Sequence, residues 1–142
     1  MIIDSIWTLS FLSDGPEEFQ DKIANAAVIQ KVNEYSHIKI DQFQIPCLRI
    51  LGNLLGGENH MIERLFDLGC FESICDLAKD NFENLDLLLE VFWCFLNLSK
   101  TNPKIINSIL KNEKFFEIIK KVLECKNNKK VFEFYYYNYF IQ

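Results

Sequence analysis

Apolar and polar positions along this chain fall into blocks of helical period, and the blocks themselves recur. Phe11, Asn53, Asn97 and Asn138 serve as anchors, spaced 42, 44 and 41 residues apart. Reading forward from the first three, the same apolar columns return without a gap for about 26 positions. Leu12, Leu54 and Leu98 form the first column; Phe19, Met61 and Ile105 the next; then Ile23, Leu65 and Ile109. Ile29, Phe71 and Phe115 follow, and Val32, Ile74 and Ile118 close the set. A period of ~40–47 residues marks stacked helical repeats. No such unit buries its apolar face alone, so neighbours stack into one continuous core, with their last helices aligned along a concave side. An irregular helical bundle is the competing architecture, but a bundle has no reason to repeat at this period.

Stop and start signals divide each copy into three helices. Pro16 behind Asp14-Gly15, and Pro103 behind Asn102, predict proline at a first helical position. Gly56-Gly57 marks the same joint in the middle copy, where glycine at positive φ would end the preceding helix. First helices are predicted near 17–25, 58–67 and 103–112, and second helices near 27–36, 70–79 and 114–125. The third and longest are Ile40–Leu55, Leu85–Ser99 and Lys129–Gln142, and an extra copy, Ile2–Ser13, opens the chain. The resulting division is 1–13 as the last helix of a partial repeat, then repeats 14–55, 56–99 and 100–142.

Composition agrees with an all-α domain. The 142 residues are 49% apolar and 25% charged, which favours a buried core over disorder. Five Gly and three Pro are too few for the hairpins of an all-β chain. Residues 1–97 carry 16 acidic and 6 basic side chains, whereas 98–142 carry 4 and 9. An acidic body disfavours nucleic acid, whose binding rests on neutralising phosphates, and suits a cationic partner. The Lys cluster 120, 121, 126, 129 and 130 reads as a solvated face. Cys47, Cys70, Cys75, Cys94 and Cys125 form no CxxC pair, and several lie among apolar residues, as buried reduced thiols do. No apolar run reaches the ~18 residues that span a bilayer, and Met1–Leu12 makes a poor signal peptide. The expectation is a soluble intracellular protein without membrane contact.

The candidate chemistry sits on the third helices. Four residues before the anchors stand Trp7, Arg49, Trp93 and Phe134, on the same helix face as Phe11, Asn53, Asn97 and Asn138. Three residues earlier still come Asp4, Pro46, Glu90 and Val131. An Asn amide offers one acceptor and one NH2 donor, so regularly spaced Asn can clamp the main chain of an extended peptide. An indole gives a flat wall for a Lys stem and attracts its ammonium. A carboxylate one turn away, Glu90, can pair with the Lys head, while Arg49 breaks the aromatic ladder and repels a basic side chain. A Trp four residues before an Asn is also ordinary core packing beside a surface amide. Recurrence at the repeat period favours binding, since Asn is a mediocre helix former.

These residues resemble the importin-alpha (karyopherin-alpha) family. Trp7 to Pro16, WTLSFLSDGP, is similar to that family's WALSYLSDGP; Pro46 to Asn53, PCLRILGN, to its PALRxxGN. Glu90 to Asn97, EVFWCFLN, resembles its ExxWxxSN element, and Asn138-Tyr139 falls where its next repeat has NY. The resemblance implies an armadillo-repeat right-handed superhelical solenoid that binds basic nuclear localisation signal peptides in a concave Trp/Asn groove for nuclear import, shuttling between cytoplasm and nucleus. It implies repeats running into the minor signal-binding site. Arg49, Asn53, Glu90, Trp93 and Asn97 would belong to that site, Phe134 and Asn138 would continue it, and Trp7, Phe11 and Asp14 would line the stretch between minor and major sites.

Departures from the family pattern also predict something. Phe11 stands for Tyr, Phe134 for Trp, Val131 for an acid and Ile45 for the usual Thr. No Lys/Arg-rich importin-beta-binding segment precedes Met1, so importin-beta would be a partner only if such a segment exists elsewhere. The expectation is a fragment, a truncated gene product or a decayed paralogue, with the aromatic stretch Phe132–Phe140 left to cover the last repeat. An enzyme is disfavoured: His37 and His60 have no nucleophile or metal partner at recognisable spacing, and no phosphate loop or cofactor motif appears. The rival function is an armadillo scaffold whose groove has drifted and whose partners use other surfaces.

Overall fold

The computed structural model describes residues 1–124, and among these it contains nine helices and no strand. They are α1 (Ile2–Ser13), α2 (Glu17–Ile23), α3 (Ala26–Ser36), α4 (Asp41–Leu55), α5 (Asn59–Asp67), α6 (Cys70–Asp80), α7 (Leu85–Leu98), α8 (Pro103–Leu110) and α9 (Glu113–Glu124). The order of short, medium and long helices recurs as the sequence periodicity predicts. Third helices α1, α4 and α7 pack side by side and second helices α3, α6 and α9 pack in a row; of the first helices, α2 packs on α1, α5 on α4 and α6, and α8 on α9. The whole predicted last helix, 129–142, with Val131, Phe134 and Asn138, lies outside the described residues, as do Cys125 and the Phe132–Phe140 stretch.

The apolar columns form the core. Leu54, Leu98, Met61, Ile105, Ile23, Leu65, Ile109, Ile29, Phe71, Val32, Ile74 and Ile118 are all buried. Leu12 and Phe19 belong to the same columns but are exposed, because they lie on the outer layer of the stack. Between the second and third layers an aromatic cluster fills the gap: Phe66 stacks on Phe71 at 5.1 Å, and Phe95 meets Phe115 edge to face at 5.0 Å. Offset and edge-on rings are the arrangements that the aromatic quadrupole favours. Ion pairs Lys39–Asp80, Asp76–Lys114 and Lys79–Glu117 link successive layers at the exposed surface.

Helix starts use Asn caps, of which the Asn102-Pro103 start was expected, and two other expectations differ. Asn25, Asn84 and Asn102 each accept a backbone N–H of the following first turn, and Pro103 takes the first helical position behind Asn102. Pro16, however, is itself the N-cap, extended at ψ 154, and the helix begins at Glu17. Gly56 does not take positive φ: it sits at φ −88. Its smallness serves close approach instead, since a Cβ there would lie 3.2 Å from Asn97 Nδ2. The left-handed residue is Gly69 at φ 74, between α5 and α6.

Cys47, Cys70, Cys75 and Cys94 are buried and unpaired. Burial pushes the thiols of Cys47, Cys70 and Cys75 up to about 12 and that of Cys94 well above its ordinary range, so all four stay protonated and pack as small apolar groups. Lys120 and Lys121 are both exposed, as expected of a solvated face, and the Lys121 ammonium lies 4.0 Å from the Phe82 ring centroid.

Candidate peptide-binding face

Because α1, α4 and α7 lie side by side, residues one period apart become lateral neighbours. Arg49 on α4 reaches across to α7, where its Nε donates to Glu90 Oε1 at 3.1 Å and a terminal guanidinium nitrogen donates to the same oxygen. Its other neighbour is α1: the guanidinium carbon lies 5.5 Å from the Trp7 ring centroid. The Arg49 and Glu90 side chains are 39% and 15% exposed, so the pair is shallow and partly screened. This differs from the expectation of a repelling Arg49 beside a waiting Glu90. The chain's own cation already pairs with the carboxylate that a ligand Lys was expected to meet, against Trp7 rather than Trp93.

The amides are also engaged. Asn53 Nδ2 donates to Ser13 Oγ at 3.0 Å and to the Ser10 carbonyl at 3.5 Å, and its Oδ1 accepts from Trp93 Nε1 at 3.3 Å. Asn97, 7% exposed, donates from Nδ2 to the Gly52 carbonyl at 2.8 Å. Both Asn residues thus bond to the residue just before the preceding anchor, Ser10 or Gly52, which is the direct product of the repeat geometry. Gly52 makes room for the indole: a Cβ there would lie 2.5 Å from Trp93 Cδ1 and 3.2 Å from Cys94 Sγ.

The structure therefore brings Trp7, Arg49, Asn53, Glu90, Trp93 and Asn97 into one connected array across three helices. Trp93 is half-buried, neither sealed in the core nor fully exposed. Phe11 stays beside Trp7, with ring centroids 6.1 Å apart, and is 69% exposed. Asp14 is exposed at the end of α1, and its carboxylate makes no hydrogen bond or ion pair within the described residues. Phe134 and Asn138 lie outside them. Ser10, Ser13 and Gly52 take part in the array although nothing in the residue pattern singled them out. The one available signal was a small residue just before an anchor, at Ser10 and Gly52. Among the described residues no group of three or more His, Cys, Asp or Glu side chains could hold a metal, and no helix is long and apolar enough to cross a membrane.

No family model matches the chain. Among curated proteins it is similar to importin subunit alpha-1a of Oryza sativa subsp. japonica, at 24% identity over 110 residues, which is 78% of this chain and 21% of that protein. Importin subunit alpha-B of Dictyostelium discoideum is 36% identical over 58 residues, 41% of this chain and 11% of that protein. The chain thus spans about a fifth or less of the curated relatives it matches. Among solved structures, a designed armadillo repeat protein in complex with the peptide (KR)4 aligns at a TM-score of 0.73 and 18% identity, covering 88% of this chain and 51% of the other. A second designed armadillo repeat protein aligns at 0.75 and 16% identity, covering 86% and 50%. At such identities the likeness is one of fold: an armadillo-repeat solenoid.

Proposed function

Taking the chain as an importin-alpha-like armadillo-repeat protein, we propose that it is a non-catalytic adaptor module that binds Lys/Arg-rich nuclear localisation signal peptides along the face of α1, α4 and α7. The repeats 1–13, 14–55, 56–99 and 100–142 are its units, and its working compartments are cytoplasm and nucleus. The observation that carries this reading is the connected array itself. Two indoles, two amides and a carboxylate on α1, α4 and α7 are joined through side-chain contacts across three successive third helices. The placement of Arg49 supports a cationic ligand, since a guanidinium already rests between Trp7 and Glu90. A structural neighbour, the designed armadillo repeat protein with bound (KR)4, supports a basic peptide as the ligand class.

A second reading rests on the same Arg49. If that guanidinium fills the site permanently, the face is closed and the protein is a scaffold that meets partners elsewhere. Fluorescence anisotropy with a labelled Lys/Arg-rich peptide separates the two. The adaptor reading expects binding that weakens with added salt and drops at least tenfold in Trp93→Ala/Asn97→Ala. Binding indifferent to both substitutions, or none at low salt, supports the scaffold.

A further inference from the structure

Stacked repeats set equivalent residues at equivalent joints, so a filled joint shows what an open one lacks. Between the first helices α2 and α5 the joint is crossed by side chains. The last carbonyls of a helix lack an internal donor, and just past α2 the Ala24 carbonyl accepts from the Arg64 guanidinium at 3.0 Å. Beside it, His60 Nε2 and Asp21 Oδ1 share a hydrogen bond at 2.8 Å. One repeat later the positions of Ala24, Arg64, His60 and Asp21 are held by Phe66, Ser108, Lys104 and Glu63. Neither link is reproduced there. The Phe66 carbonyl accepts the Gly69 N–H at 2.9 Å, and Ser108 Oγ donates within its own helix to the Lys104 carbonyl at 3.2 Å. Glu63 accepts from Asn102 Nδ2 at 3.4 Å.

Between α5, the start of α6 and α8 there is a cleft of about 260 Å³. Phe66 gives it an aromatic wall, and Glu63, Asp67 and Glu72 set three carboxylates against the one ammonium of Lys104. None of these four charged groups makes an ion pair within the described residues. The excess of negative charge favours a further cation. A guanidinium is planar, donates five N–H bonds and stacks on aromatic faces, whereas an ammonium is a compact, strongly hydrated point charge. Several acceptors around an aromatic wall suit the guanidinium, and a guanidinium is what the chain itself places at the preceding joint. We propose that the cleft between α5 and α8 is a second cation site, which takes an arginine side chain of a partner polypeptide in the place that Arg64 fills one joint earlier. Ser108 is too short to cross the gap and leaves that place open. No residue of α1, α4 or α7 lines the cleft, so the site is separate from the array on the third helices and does not rest on the adaptor reading.

The test titrates the full chain with N-acetyl-arginine-N-methylamide and follows backbone amide shifts by NMR. The amides of Asp67, Glu72 and Ser108 are expected to shift and saturate. The citrulline analogue keeps the shape without the charge and should bind roughly tenfold more weakly in the cleft. Ser108→Arg supplies the chain's own guanidinium and should remove the saturable shifts. Glu63→Gln/Glu72→Gln should weaken them roughly fivefold while the circular dichroism spectrum stays that of the parent. Shifts that rise without saturating, citrulline binding equal to arginine, or arginine binding that survives both sets of substitutions would each overturn the assignment. Amides on α1, α4 and α7 report their own face in the same spectra, so failure at the cleft is distinguishable from failure of the adaptor reading.

Discussion

The joint between α1 and α4 and the joint between α4 and α7 are built on the same repeat positions, yet they differ in what those positions do. At the first joint the Trp position of the later repeat is Arg49, which turns outward to Trp7 and Glu90 and leaves the contact polar and shallow. At the second it is Trp93, whose Cδ1 and Nε1 edge lies against Gly52, with its indole nitrogen on Asn53. The second is accordingly the most extensive helix pairing in the described chain. Apolar columns are kept from copy to copy because each must fill the same gap, whereas polar positions are rewired by whatever the preceding repeat offers. Ser13 and Ser10 at one joint, and the Gly52 carbonyl at the other, set different tasks for equivalent Asn residues.

Three measurements sharpen or break this contrast. Gly52→Val should strike the second joint hardest, because even its Cβ cannot coexist with Trp93 at 2.5 Å. A loss of about 3 kcal/mol is expected from overpacking, seen as a melting temperature lower by roughly 10 °C in circular dichroism. A variant that melts like the parent would mean the indole does not lie against Gly52.

Alkaline pH is expected to act next, and on the same side of the molecule, since α1 to α3 carry no cysteine while α4, α6 and α7 do. An unfolded thiol ionises near 9.0, whereas burial holds Cys47 in the fold up to about 12. The unfolded state therefore loses its proton first: stability is unaffected at pH values well below ~9 and falls as pH rises toward ~12. Cys47→Ala should flatten the decline between about pH 8 and pH 10 by about 1 kcal/mol in urea titrations. Equal slopes would show that Cys47 is more accessible than the packing indicates.

The smallest effect belongs to the first joint. Arg49→Ala removes a partly exposed pair, so stability should change by less than ~1 kcal/mol. The substitution uncovers Glu90 and Trp7, and affinity for the basic peptide should rise roughly threefold. Weaker binding in this variant would identify Arg49 as a ligand contact rather than an occupant of the ligand's place.

Much of the architecture was legible from the chain alone. The apolar columns placed each described helix within two or three residues of its observed ends, because a repeated column can be filled only by a repeated helix. Asn102-Pro103 was equally plain, its start signal being local. What could not be read were contacts made between copies. That Arg49 lies over Trp7 depends on the lateral spacing of α1 and α4, which no residue pattern states. Gly56 suggested a left-handed turn, but its need for smallness came from Asn97, a whole repeat away along the chain. Ser10 and Ser13 carry no pattern of their own that marks them, and their part depends on Asn53 lying against them.

The chain holds two tryptophans, Trp7 and Trp93, and both sit in the array on the third helices. One lies beneath a guanidinium and the other is tethered to an amide, so their surroundings differ. Any light the indoles emit originates within this one face, and a guest settling there would alter its colour or brightness with no dye attached. The molecule carries its own lamp on the face proposed to take the peptide.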